Sequence, residues 1–177
     1  MGGYETRVLR LFDLIDTDRN GYVDRGDLPR TADDAAGAEA QRARIVQALI
    51  TGVVKAGDSN MDTRLTRAEM SSCVERTMVG KSAADLPAYI REVTAGVFAL
   101  MDADGNGKVG KSEFEKYLKA RNVTDPSAAG EFARLDRDGD GSLTLEDLGH
   151  ATHGFFTAPE YDVPQHWLFA AVSAVSG

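Results

Sequence analysis

Residues 102 to 113 read Asp-Ala-Asp-Gly-Asn-Gly-Lys-Val-Gly-Lys-Ser-Glu. Asp102, Asp104 and Asn106 offer side-chain oxygens at positions 1, 3 and 5 of this run. Gly107 at position 6 lets the chain turn sharply, Lys108 presents its backbone carbonyl at position 7, and Glu113 at position 12 is long enough to close the ring with two oxygens. The donors are all oxygen, mostly anionic and crowded onto one short segment. Such a set suits a hard divalent cation that takes six to eight oxygens, calcium above all.

The pattern D-x-[DN]-x-[DN]-G-x₅-E is the EF-hand calcium loop, and this run meets it without departure. The chain repeats it. Residues 16 to 27 place Asp16, Asp18 and Asn20 at positions 1, 3 and 5, Gly21 at 6, Tyr22 at 7, Asp24 at 9 and Asp27 at 12. Residues 136 to 147 place Asp136, Asp138 and Asp140 likewise, with Gly141 at 6, Ser142 at 7, Thr144 at 9 and Asp147 at 12. A fainter copy at residues 58 to 69 puts Asp58, Asn60, Asp62, Arg64, Thr66 and Glu69 on the ligand positions, but Thr63 stands where the glycine belongs.

A lone, weak run of this kind has an alternative reading as a solvated acidic turn or as a calcium loop of another architecture, such as a dockerin. Four copies in one register weigh against that, and so do their flanks. Phe12, Val54, Phe98 and Phe132 stand four residues before the loops, Val23, Leu65, Val109 and Leu143 occupy position 8, and Leu28, Met70, Phe114 and Leu148 come directly after. Apolar residues on both sides of a polar loop predict helix, loop, helix. The position-8 aliphatics are expected to pair between neighbouring loops through a short strand-like bridge.

The loops are not equal. Glu113 should make the third site the firmest. Asp27 and Asp147 are one methylene shorter at position 12. Either each gives a single oxygen, which favours the smaller, six-coordinate magnesium, or the outgoing helix moves inward; Mg²⁺ is therefore expected to compete with Ca²⁺ at the first and fourth sites. In the second hand a positive φ at β-branched Thr63 costs about 1–2 kcal/mol, roughly tenfold in affinity. Gly57 also replaces the apolar residue that precedes the other loops (Ile15, Met101, Leu135), so the helix entering it is expected to fray. The second loop either binds weakly or persists as a partner, lending Leu65 to a bridge with Val23.

Asp and Glu number 28 against 20 Lys and Arg in 177 residues, a net charge of −8. That balance suits cations and argues against a nucleic-acid partner, which calls for a basic stripe. Ions in the loops would relieve much of the self-repulsion, so the metal-free form is expected to be looser. Cys73 is the only cysteine, so no internal disulfide forms, and it reads as a small core residue. The longest apolar run, HWLFAAVSAV, falls far short of the roughly 20 residues a membrane span needs. The start of the chain carries no apolar signal core, and the expected compartment is the cytoplasm.

Spacing sets the organisation. The loops begin at 16, 58, 102 and 136. The last two are close enough for a standard pair. A longer helix through residues 38 to 56 links the first two, with Ile45, Leu49, Val53 and Val46, Ile50, Val54 at helical spacing. Residues 80 to 88 read as the joint between halves, where Asp85 caps a helix and Pro87 lies near its first turn. Asp125-Pro126-Ser127 signals another start, before the helix bearing Phe132 and Leu135. The expected fold is all-α: four EF-hand units in two pairs forming one compact bundle. Residues 1–80 would hold the N-terminal pair, 81–154 the C-terminal pair, and 155–177 an apolar tail packing on the hands.

In length, four-hand order and a degenerate second hand, the chain resembles the calerythrin and sarcoplasmic calcium-binding protein family over nearly its whole length. The resemblance implies halves that pack together rather than a dumbbell. It also implies intracellular calcium binding and no catalysis.

The residues beside the loops do not suggest an enzyme. His150 and His153 would need further ligands to hold zinc, and no G-x-S-x-G or phosphate-cradling loop occurs. The contest is between a calcium buffer and a sensor. A sensor exposes an apolar groove, often rich in methionine, whereas Met1, Met61, Met70, Met78 and Met101 are scattered. The tail carries Phe155, Phe156, Trp167, Leu168, Phe169 and Val172. Such a segment should be buried, and the expected host is the cleft of the chain's own hands, which it would close. That favours a buffer or a closed calcium-modulated protein. In the alternative, a sensor, the tail is released by calcium or swapped into a second copy, and the groove takes a target protein.

Overall fold

Val8, Leu11, Phe12 and Ile15 form the apolar stripe of helix α1 (Gly3–Ile15), and all four are buried. The structure, a computed structural model, describes residues 2–29, 37–160 and 162–173. Met1, Tyr161 and the last four residues of the apolar tail, 174–177, lie outside these, as do residues 30–36.

The first hand departs from the expected helix, loop, helix. Its loop leaves through a three-residue 3₁₀ turn, Arg25–Asp27, and Leu28 is already extended at φ −61°, ψ 131°. Pro29 gives the reason. One turn into an outgoing helix it would lack the N–H and press its ring on the Arg25 carbonyl, and it drives the residue before it out of the helical region.

Helix α2 (Ala38–Gly57) buries Ile45, Val46, Leu49, Ile50 and Val53. It does not fray at Gly57. A Cβ there would lie 2.6 Å from Leu65 Cδ1 and 3.3 Å from Cys73 Cβ, so the missing side chain is the space that Leu65 and helix α3 (Arg67–Thr77) occupy. The joint between halves is a second 3₁₀ turn, Ala83–Asp85, in which Asp85 accepts the Ser82 N–H and hydroxyl. Pro87 is itself the residue that caps helix α4 (Ala88–Met101). The two long helices cross in close contact. A Cβ on Gly52 of α2 would overlap Tyr89, and one on Gly96 of α4 would sit 2.6 Å from Ile45 Cγ1. The halves therefore pack as one body.

Helix α5 (Lys111–Ala120), the short α6 (Glu131–Leu135) and α7 (Leu145–Thr157) complete the third and fourth hands. The loops pair as expected. Val109–Gly110 and Ser142–Leu143 form strands β1 and β2, antiparallel with Val109 opposite Leu143. Val23 and Leu65 exchange two backbone hydrogen bonds of 2.9 Å.

The tail ends in helix α8 (His166–Val172), whose Trp167, Leu168, Phe169, Ala170, Ala171 and Val172 are all buried. It lies against α1, α2 and α5. Three side chains from three helices hold its backbone. Glu131 accepts from the amides of Gln165 (2.7 Å) and His166 (3.1 Å) at its start. Tyr117 donates to the Trp167 carbonyl at 2.8 Å, and burial raises the pKa of that phenol. Arg42 Nε donates to the Ala171 carbonyl at 3.0 Å at its end. Glu131 and Arg42 thereby satisfy amides and a carbonyl of the kind that any helix leaves open at its termini, and Tyr117 adds a second donor to a carbonyl within the helix.

The segment before α8 is tied to α1. Arg7, only 3% exposed, donates to the carbonyls of Phe155 (2.8 Å), Ala158 (2.7 Å), Gly154 (3.3 Å) and Glu160. It covers the carbonyl end of α7, where a cation is also favoured by the helix dipole. Among the described residues no helix is long and apolar enough to cross a membrane.

Arg7→Met should leave the buried Phe155 carbonyl and the partly buried Ala158 and Glu160 carbonyls without their guanidinium partner and lower stability by about 2–3 kcal/mol. Arg10→Met, which removes only an exposed guanidinium above Phe169, should cost no more than about 1 kcal/mol. Chemical denaturation of both variants checks this; equal losses would show that Arg7 acts as packing alone.

Candidate metal centres

Each loop is wound by the same hydrogen bonds, made from its own amides to its own polar side chains. The position-1 carboxylates accept from the position-6 amides: Asp16 from Gly21 (3.0 Å), Asp58 from Thr63 (2.9 Å), Asp102 from Gly107 (2.9 Å) and Asp136 from Gly141 (3.0 Å). The position-5 oxygens accept from position 7: Asn20 from Tyr22, Asp62 from Arg64, Asn106 from Lys108 and Asp140 from Ser142, at 2.8–2.9 Å. The position-12 carboxylates accept from position 9: Asp27 from Asp24, Glu69 from Thr66, Glu113 from Gly110 and Asp147 from Thr144, at 2.9–3.0 Å. Short polar side chains that bond nearby amides create such turns, and the turns aim the remaining oxygens inward.

The backbone adds a requirement at two positions. Position 6 is left-handed in all four loops, at Gly21, Thr63, Gly107 and Gly141 (φ +87°, +67°, +82° and +85°). Thr63 thus takes the conformation expected to be costly. Position 4 is left-handed too, which sequence reasoning missed: Arg19 (+55°), Met61 (+59°), Gly105 (+70°) and Gly139 (+70°). The glycines at 105 and 139 were the available signal. The third and fourth loops therefore carry no side chain at either left-handed position, the first carries one and the second carries two.

Among the described residues, acidic oxygens converge to within 4.8 Å of one another in three sets: Asp16, Asp18 and Asp27; Asp102, Asp104 and Glu113; and Asp136, Asp138 and Asp140. A ring of anionic oxygens that tight suits a divalent cation. The two short position-12 residues behave differently. Asp27 reaches across its loop, accepting the Thr17 amide (2.6 Å) as Glu113 accepts the Ala103 amide (3.1 Å). Asp147 instead commits one oxygen to the Thr144 amide and hydroxyl (2.9 and 2.6 Å), at the start of regular α7. The exit broken by Pro29 lets a short aspartate close in, and the intact 13-residue helix α7 holds the other back.

In the second loop, Glu69 turns inward to the Ser59 amide (3.2 Å) and hydroxyl (2.9 Å). The Thr66 amide and the Ser59 hydroxyl hold its pKa down at about 2. Asp140 is likewise held at about 2, by the Ser142 hydroxyl first and then by the Lys108 ammonium.

That ammonium belongs to the neighbouring loop. Lys108 Nζ lies 3.0 Å from Asp140 Oδ2, and Arg64 Nε lies 3.8 Å from Asp24 Oδ2. Sequence reasoning used Lys108 only for its carbonyl and Arg64 only as the occupant of a ligand position. The three histidines are taken up separately. His166 sits between Glu131 and Asp125, His153 Nε2 is 2.8 Å from the Lys81 carbonyl, and His150 faces Glu146.

The family model described as EF hand matches residues 9–28, 95–119 and 129–150, which contain the first, third and fourth loops. Calerythrin from Saccharopolyspora erythraea is 26% identical over 158 residues, covering 84% of this chain and 89% of its own length. The alpha chain of the sarcoplasmic calcium-binding protein of Penaeus vannamei is 25% identical over 179 residues and 92% of each chain. Among solved structures, the sarcoplasmic calcium-binding protein from amphioxus matches with a TM-score of 0.67 at 20% identity, over 95% of this chain and 96% of that one, a likeness of fold. With four wound loops in two bridged pairs, three of them matched by the EF-hand model, the chain is built of EF hands and is similar along most of its length to calerythrin and to sarcoplasmic calcium-binding proteins.

Proposed function

We propose that this protein is a calcium buffer, or a closed calcium-modulated protein, with three working sites and no catalytic role, acting in the cytoplasm. The first site is assigned to Asp16, Asp18, Asn20, the Tyr22 carbonyl, Asp24 and Asp27. The third takes Asp102, Asp104, Asn106, the Lys108 carbonyl and Glu113. The fourth takes Asp136, Asp138, Asp140, the Ser142 carbonyl and Asp147. The division into pairs, 1–80 and 81–154, with the tail from 155, is part of the same reading. The observation that carries it is α8. A tail buried among α1, α2 and α5 and held at both ends by Glu131 and Arg42 occupies the interior that a sensor would offer to a target.

Asp27 and Asp147 assign magnesium differently from what their shared identity suggests. Asp27 closes its loop and supports calcium geometry. Asp147 stays back, so the fourth site is the one at which the smaller ion competes. The second hand, with Met61 and Thr63 both left-handed, costs about 1–2 kcal/mol at each. It serves the pair through the Val23–Leu65 bridge and binds calcium weakly.

Calorimetric calcium titration in physiological magnesium, with Trp167 emission followed in parallel, tests the main reading. Uptake of about three tight ions with little change at buried Trp167 is expected. Weaker binding with a large emission shift would mean that calcium moves the tail, and the sensor with an exposed groove, or a tail-swapped dimer, would replace the buffer. Magnesium at millimolar concentration should depress calcium uptake at one site; Asp147→Glu should restore it by roughly tenfold and Asp27→Glu should not. Equal rescue by both would remove the distinction between them. Thr63→Gly should relieve one strained residue and tighten the second site by up to roughly tenfold, seen as one further ion bound.

A further inference from the structure

We infer that Lys108 and Arg64 are tethered counter-cations, each setting the calcium affinity of the loop paired with its own. The inference rests on the calcium-binding reading above. Position 7 directly precedes the bridging residue at position 8, so the pairings Val109–Leu143 and Val23–Leu65 bring a position-7 side chain alongside the partner loop. In each pair one position 7 is cationic and the other is neutral: Arg64 with Tyr22, and Lys108 with Ser142. Both cations bear on an acidic ligand position of the other hand. Lys108 reaches Asp140, at position 5 of the fourth loop, at 3.0 Å, and Arg64 reaches Asp24, at position 9 of the first, at 3.8 Å. The Arg64 guanidinium also lies 5.3 Å above the Tyr22 ring, which holds it toward the first loop. The receiving hands are those that end in aspartate, and the donating hands are those that end in glutamate.

A cation in this place acts in opposite directions on the empty and filled loop. Without metal it offsets the mutual repulsion of Asp136, Asp138, Asp140 and Asp147. With a divalent ion bound it is a like charge a few ångströms away, sharing the Asp140 carboxylate. Lys108 therefore steadies the empty fourth loop and lowers its affinity. Its effect on the third site is small, because there it contributes only a carbonyl. Arg64 does the same for the first loop, more weakly because its charge is farther from the carboxylate. Both side chains are half exposed, so the effect is modest and screened by salt.

Calcium titrations of wild type, Lys108→Met, Lys108→Arg and Arg64→Met at low and high salt test this, with the Gly141 and Gly107 amide resonances reporting the fourth and third loops. Lys108→Met should tighten the fourth site by roughly three- to tenfold at low salt and steepen its weakening by salt. It should also lower the melting temperature of the metal-free protein while raising that of the calcium-loaded one. Lys108→Arg should behave as wild type, and Arg64→Met should tighten the first site by a smaller factor. If wild type binds calcium and Lys108→Met binds no tighter, or melts lower in both states, the inference is overturned and the calcium-binding reading stands. If wild type binds no calcium, that reading falls, and the inference with it.

Discussion

The close crossing of α2 and α4 is the contact on which the rest of the arrangement depends. Gly52 admits Tyr89 and Gly96 admits Ile45, so two helices from different halves approach nearer than ordinary side chains allow. That approach joins two EF-hand pairs into one body with an interior bounded by both. The interior is then filled by α8, whose six buried residues would otherwise form an exposed apolar patch of the kind soluble proteins avoid. A helix placed there needs partners for backbone groups that the surrounding helices partly screen from water. Glu131, Tyr117 and Arg42 supply some, and Arg7 does so for the end of α7. Buried charges are tolerated in these places because each is hydrogen-bonded to backbone groups that would otherwise be left without a partner.

The metal loops depend on this frame at one point in particular, the residue at position 12. Its reach is set by side-chain length and by the course of the backbone beyond it. Asp27 and Asp147 are the same residue in the same register, yet one folds over its loop and the other holds the first turn of a helix. Pro29 is the difference. By ending the first hand in a 3₁₀ turn, it frees Asp27 from the geometry of a regular helix. The departure from helix, loop, helix and the closing of the first loop are thus two consequences of one residue. Gly57 is a similar case: its lack of a side chain suggests a weak end to α2, and it is instead the place where Leu65 and Cys73 pack.

The loops were legible in the sequence because their hydrogen bonds are local. An aspartate that bonds an amide five residues on needs nothing from the rest of the chain, so spacing alone announces it. For the same reason the long helix from 38, the all-α class and the left-handed Thr63 could be read in advance; the position-8 bridges join different loops and could be read only because the repeated register puts an aliphatic at the same place in each. The left-handed position 4 could also have been read, from Gly105 and Gly139, but Arg19 and Met61 obscured it.

The sequence by itself therefore determined the number, register and chemistry of the hands, each set by contacts within twelve residues. Tertiary structure alone decided which side chains cross between them. Lys108 meets Asp140 from 32 residues away, Arg42 meets Ala171 from 129, and Arg7 meets Phe155 from 148. Nothing in the neighbourhood of an arginine says which distant carbonyl it will find. That depends on where two glycines let two helices cross, and so on the packing of the whole chain.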